Sequence, residues 1–187
     1  MINIGSKIPD MQFEAFQGDD AKKLSFASFK NKWLVLIFYP ADFTFVCPTE
    51  LEEAAERYEE FKKLGAEVLS ISTDKVETHK AWHDTSEAIK KIEYPMVADP
   101  TTKIAKEFGV YIEEEGVALR GTFIVDPDGI LRTMEVHHNS IGRNITETLR
   151  KLQAAIYVRK HGDQVCPASW EPGDKTLKPG MDLVGKI

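Results

Sequence analysis

With 187 residues, 42 % of them hydrophobic, the chain is long enough to bury one full core, and its formal net charge of −6 argues against a nucleic-acid or anionic-membrane partner, which would select a basic patch. No apolar run approaches the roughly 18 residues of a membrane span, and the opening Met1-Ile2-Asn3-Ile4-Gly5 lacks the basic-then-apolar pattern of a secretory leader, so the expected location is cytoplasmic. In that compartment two cysteines, Cys47 and Cys166, point to redox chemistry or inert thiols rather than a structural bridge. Neither has a second ligand at zinc-site spacing, so no metal is expected.

The first element is Trp33-Leu34-Val35-Leu36-Ile37-Phe38-Tyr39, a continuous apolar run that predicts a central strand buried on both faces. A helix follows Cys47, carrying Leu51, Ala55, Tyr58 and Leu64 at helical spacing and ending at Gly65. Residues 67–72 predict the next strand, and Asp74 or Thr73 is the candidate cap of a helix running through Ala81 and Trp82. Residues 94–99 predict a short edge strand, where Pro95 is tolerable, and 102–108 a short helix ending at Gly109. Residues 118–125 and 129–136 predict two strands joined by the turn Asp126-Pro127-Asp128-Gly129. A last helix runs from about Ile141 or Asn144 to His161, and 162–187 predicts an extended, partly mobile tail rich in Gly and Pro. The plan is α/β, a central mixed β-sheet flanked by helices, organised as a domain over 1–161 and a C-terminal tail over 162–187.

The residues around Cys47 carry the chemistry. The thiol lies where a buried strand hands over to a helix, and Pro48 beside it suits the first helical position, where a missing N–H costs nothing. Free N–H groups and the positive end of a helix favour an anionic sulfur. Thr44, three residues earlier, offers a hydroxyl that a thiolate and an oxygen substrate can share. A guanidinium would complete such a site, and Arg120, just before the strand through Thr122–Val125, is the best-placed candidate. Attack on a peroxide leaves a sulfenic acid, which condenses with another thiol. Cys166 is the only other one, and spacing does not say whether it reaches its own Cys47 or that of a second subunit.

The run Asp42-Phe43-Thr44-Phe45-Val46-Cys47-Pro48-Thr49-Glu50 resembles the signature of the typical two-cysteine peroxiredoxins, and Val165-Cys166-Pro167-Ala168-Ser169-Trp170 resembles their resolving-cysteine motif. The likeness extends through residues 119–126 and is closest to the bacterial alkyl hydroperoxide reductase C-subunit branch. The resemblance implies a thioredoxin-like fold with Cys47 peroxidatic and Cys166 resolving. It further implies that Pro40 shields the sulfur, Thr44 and Arg120 bind sulfur and peroxide, Glu50 positions Arg120, and Arg143 supports the group. It implies no cofactor, hydroperoxide substrates, and a flavoprotein disulfide reductase or thioredoxin as electron donor. It also implies a homodimer with an intersubunit disulfide, associating into a pentamer of dimers.

Two family features are missing: residues 89–95 do not read Gly-Gly-Leu-Gly, and the chain ends without the Tyr-Phe helix of easily over-oxidised members. Competing functions are a general thiol–disulfide oxidoreductase, which normally needs Cys-x-x-Cys, and a redox-switched chaperone or peroxide sensor. His79 and His83, four residues apart, are expected on an exposed helix face rather than on a metal. Glu113-Glu114-Glu115 is expected to be a solvated loop, and Trp82 and Trp170 packing or interface aromatics.

Overall fold

The computed structural model describes residues 2–186, which form two compact units that divide between Ile145 and Thr146. Among the described residues of the first unit, seven strands make one mixed sheet in the order β2-β1-β5-β4-β3-β8-β9. These are β1 (Gln12–Gln17), β2 (Asp20–Ser25), β3 (Trp33–Phe38), β4 (Ala66–Ser72), β5 (Met96–Ala98), β8 (Arg120–Val125) and β9 (Leu131–His137), with β6 (Tyr111–Ile112) and β7 (Val117–Ala118) pairing separately. The helices are α1 (Cys47–Glu56), α2 (Tyr58–Lys63), α3 (Val76–Thr85), α4 (Lys103–Glu107) and α5 (Ile145–Lys160).

β3 and β4, buried at every position, run parallel to each other through the middle of the sheet. Side chains alternate between faces along a strand. One face carries Leu36, Phe38, Leu69, Ile71, Val97 and Phe123 into a cluster with Ile104 and Phe108 of the α4 region. Phe38, Phe108 and Phe123 meet there with ring centroids 4.9–5.4 Å apart. On the other face Val35, Ile37 and Val68 are equally enclosed. That double burial is why these strands read as unbroken apolar runs.

Three expectations need correction. Residues 94–99 are not an edge: β5 pairs with β4 on one side and with β1 on the other. β1, which covers it, forms a hairpin with β2 that turns at Gly18 (φ 68°) and Asp19; β2 (Asp-Ala-Lys-Lys-Leu-Ser) is the outer strand and mostly exposed, so no apolar alternation announces it. The helix after Cys47 is broken at Arg57 (φ −99°, ψ 4°) into α1 and α2, although Gly65 (φ 73°) ends it as expected. The N-cap of α3 is Lys75 with no side-chain cap bond, because the Asp74 carboxylate is taken by the Asp42 N–H and the Ser72 hydroxyl.

In the second unit the tail doubles back rather than running out. Val165 and Leu177 exchange two backbone hydrogen bonds (2.8 and 3.0 Å), and Arg150 Nη1 donates to the Trp170 carbonyl at 2.8 Å. Trp170 is buried, with its ring 5.0 Å from that of Tyr157. The last helix thus shares a compact unit with the tail, whereas the sequence reading divides the chain after 161.

Candidate active site

Register decides who meets Cys47. Ile37 of β3 pairs antiparallel with Thr122 of β8, so the start of β8 lies beside the end of β3, where the chain turns toward α1. Arg120 is the first residue of β8 and Cys47 the first of α1, with Pro48 at the second helical position instead of the first. The two meet there: Arg120 Nη1 donates to Cys47 Sγ at 3.3 Å, and Cys47 is 0 % exposed.

The arginine is held from three sides. Its Nη1 also donates to Glu50 Oε2 at 2.7 Å, and its Nε donates to the Asn139 carbonyl at 2.9 Å. Glu50, one turn into α1 and 2 % exposed, is in turn gripped by Arg143, whose Nε and Nη2 reach the two carboxylate oxygens at 2.9 Å each. The Arg143 N–H adds a bond to Oε1 at 2.8 Å. Such a fork on a carboxylate fixes both partners in plane. Arg143 Nη1 then donates to the carbonyls of Phe38 (2.8 Å) and Gly121 (2.9 Å), tying the end of β3 to the start of β8. Burial alone would raise the Glu50 carboxyl, but the Arg143 hydrogen bonds and charge, with Arg120 beside them, hold it below the usual carboxylate range.

Two more of the expected residues, Thr44 and Pro40, lie in the loop between β3 and α1. Thr44, half-buried, donates its hydroxyl to the Ala41 carbonyl at 2.9 Å, and Pro40 sits half-buried where β3 ends. Cys166 is in the second unit, half-buried, with Sγ 4.0 Å from the Ala154 carbonyl. Burial pushes its thiol up, only partly offset by Arg150. Both cysteines are free. The Asn139, Phe38 and Gly121 carbonyls escaped the sequence reading because a backbone acceptor leaves no residue-type signal.

The histidine expectation fails. His79 is fully buried, its Nδ1 2.7 Å from Asp42 Oδ2, and His83 Nε2 lies 3.3 Å from the Ile92 carbonyl. Among the described residues no cluster of three or more His, Cys, Asp or Glu side chains is placed to hold an ion.

Residues 4–134 match the model of the AhpC/TSA family. The chain belongs to that family. Residues 157–184, the span that contains Cys166, match the C-terminal domain of 1-Cys peroxiredoxin. Over full length the chain is 50 % identical to alkyl hydroperoxide reductase C of Pseudomonas aeruginosa strain UCBPP-PA14, covering 100 % of both sequences. It is 53 % identical to the protein of the same name from Staphylococcus aureus strain Mu50, again with 100 % of both covered. Two crystal structures share the fold. Enterococcus faecalis AhpC superposes with a TM-score of 0.87 at 44 % identity, over 89 % of this chain and 100 % of that one. Reduced Plasmodium vivax 2-Cys peroxiredoxin does so with 0.91 at 34 % identity, over 96 % and 94 %. The peroxiredoxin resemblance and the thioredoxin-like α/β fold are therefore borne out. Among the described residues no helix of this family member is long and apolar enough to cross a membrane.

Proposed function

We propose that this chain is a two-cysteine peroxidase that reduces hydrogen peroxide and small organic hydroperoxides. The observation that carries the reading is the single Arg120 nitrogen shared between Cys47 Sγ and Glu50, a fixed cation on a buried sulfur at a helix start. A cation donating to sulfur favours the anionic nucleophile, and its fork can follow charge onto an attacked oxygen. The Cys47 thiolate attacks one peroxide oxygen: a sulfur–oxygen bond forms, the oxygen–oxygen bond breaks, and the departing oxygen leaves as alcohol or water after taking a proton. Cys166 then attacks the sulfenic sulfur, forming the disulfide and releasing water. A dithiol donor, either a flavoprotein disulfide reductase of the alkyl hydroperoxide reductase type or thioredoxin, returns two electrons.

On this reading Thr44 and Pro40 shape the peroxide's approach, Glu50 and Arg143 position Arg120, and no cofactor takes part. The disulfide joins Cys47 of one subunit to Cys166 of another in a homodimer, dimers assemble in fives, and the protein works in the cytoplasm. Family membership and the near-full-length likeness to the alkyl hydroperoxide reductase C proteins support these assignments.

The test is one equivalent of hydrogen peroxide added to the fully reduced protein. Rapid loss of both thiols with a disulfide-linked dimer on non-reducing electrophoresis is expected, and Cys166→Ser traps a sulfenic acid at Cys47 detectable by intact mass. Oxidation as slow as that of an ordinary thiol would replace the peroxidase reading with a redox-switch one. A second expected outcome concerns durability. With residues 89–95 reading Ile-Lys-Lys-Ile-Glu-Tyr-Pro in place of a Gly-Gly-Leu-Gly loop, turnover should persist well above micromolar hydrogen peroxide, and inactivation at micromolar levels during a titration would contradict this.

A further inference from the structure

A buried polar cluster behind the active-site loop has no part in the chemistry above. Asp42 lies in the loop between β3 and α1, five residues before Cys47, and is almost fully enclosed. One carboxylate oxygen accepts from the Tyr39 hydroxyl at 2.7 Å and the other from His79 Nδ1 of α3 at 2.7 Å. Nδ1 is the donor in the tautomer this arrangement requires. Burial, then the adjoining Asp42 carboxylate, raises the Tyr39 phenol well above its ordinary range, so it remains a donor. The main chain is tied as well: the Asp42 N–H donates at 2.8 Å to Asp74 Oδ2, which also accepts from the Ser72 hydroxyl. The same loop therefore hangs from the ends of β3 and β4 and from α3 through one residue.

The next residue shows what these bonds oppose. Phe43 is held at φ 55°, in the left-handed region that bulky L residues rarely adopt, and the residue is 55 % exposed beyond a ring contact with Trp82. Cys47, enclosed at the far end of this loop, cannot meet a second protein thiol within disulfide distance unless the loop moves.

We propose that the Tyr39–Asp42–His79 cluster is a positioning clamp: its buried hydrogen bonds hold the strained β3–α1 loop closed over Cys47 and set how often that sulfur becomes exposed. His79 and Tyr39 are positioning residues, acting on Cys47 through Asp42. The proposal deepens the peroxidase reading, yet its test involves no peroxide, so the two can fail separately.

In the reduced full-length protein, amide hydrogen exchange is followed for residues 41–47, together with the rate at which iodoacetamide alkylates Cys47, resolved by peptide mass. His79→Leu removes the donor at nearly constant volume, and Asp42→Asn weakens both carboxylate bonds without emptying the site. Each is expected to raise loop exchange and Cys47 alkylation about 10-fold, the lower end of what losing a hydrogen bond to a charged group produces. Exchange in β3, β4 and β8 should stay unchanged. His79→Asn, whose amide nitrogen falls near the Nδ1 position, should bring both rates back to within about 2-fold of wild type. Unchanged rates in Asp42→Asn, or a rise spread evenly over the core strands, overturn the clamp; should His79→Leu fail to fold, Asp42→Asn and His79→Asn decide it.

Discussion

Replacing Arg120 with methionine is expected to slow Cys47 oxidation by about 10²–10³-fold, the range seen when one preorganised donor is removed from a site of developing negative charge. The arginine reaches sulfur and Glu50 through one nitrogen while Nε is anchored on the Asn139 carbonyl, so its charge is in place before any peroxide arrives. Methionine matches the length and apolar stem but supplies no donor. Glu50 keeps its Arg143 fork, so the fold should survive and the loss should appear in the rate. Arg120→Lys is the sharper test. An ammonium is a single point and cannot span Sγ, Glu50 and the Asn139 carbonyl in one plane, so it should recover only a small part of the deficit. The check is stopped-flow measurement of the second-order rate with hydrogen peroxide. A lysine variant at wild-type speed would mean that charge alone suffices and the fork geometry is irrelevant.

Glu50→Gln should have the larger effect on stability. Among the described residues this carboxylate alone is bonded to both buried guanidinium groups, and a neutral amide leaves Arg120 and Arg143 without that counter-charge among packed side chains. Breaking a buried ion pair by removing one partner costs about 3–5 kcal/mol, which in a chain of this size lowers Tm by on the order of 10 °C.

The pH dependence has a definite sign. Glu50 is held below its ordinary range in the folded protein, so the unfolded chain binds more protons as the solution is acidified. Its contribution is fully present above the ordinary carboxylate pKa of about 4.3 and is lost as pH falls through the depressed folded value. Urea unfolding of wild type and Glu50→Gln from pH 7 down to pH 3 should therefore show the gap constant at the top and shrinking at the bottom. A gap that widens on acidification would show that the carboxylate is not the stabilising form. Asp99, pushed up by burial, has the opposite dependence, but it is common to both proteins and cancels in the comparison.

Much of the site is legible before any coordinates. A continuous apolar strand, a cysteine at the helix start after it and a threonine three residues earlier are local features, specified by hydrophobic burial and by the unpaired N–H groups of a helix terminus. A guanidinium for that sulfur has to come from a strand beside β3, and Arg120, just before Thr122–Val125, is the best-placed candidate in the sequence. The antiparallel register of Ile37 with Thr122 is what brings the two within hydrogen-bonding distance.

What tertiary structure alone decided are the long-range pairings of polar groups. The polar sequence of β2 hides a strand because its side chains stay in water, and only the antiparallel pairing of β1 with β5 turns β5 from an edge into an interior strand. The spacing of His79 and His83 suits an exposed helix face, yet the Asp42 carboxylate, distant in sequence, makes burial of His79 affordable by accepting its Nδ1 proton. Arg143 enters the group on resemblance, since a charge just before a helix names no partner by itself; Glu50 and the carbonyls of Phe38 and Gly121 surround it only in the assembled fold. Period and composition report which side chains leave water. Which buried charge finds which partner depends on chain reversal and strand register, and those are settled only when the whole sheet assembles.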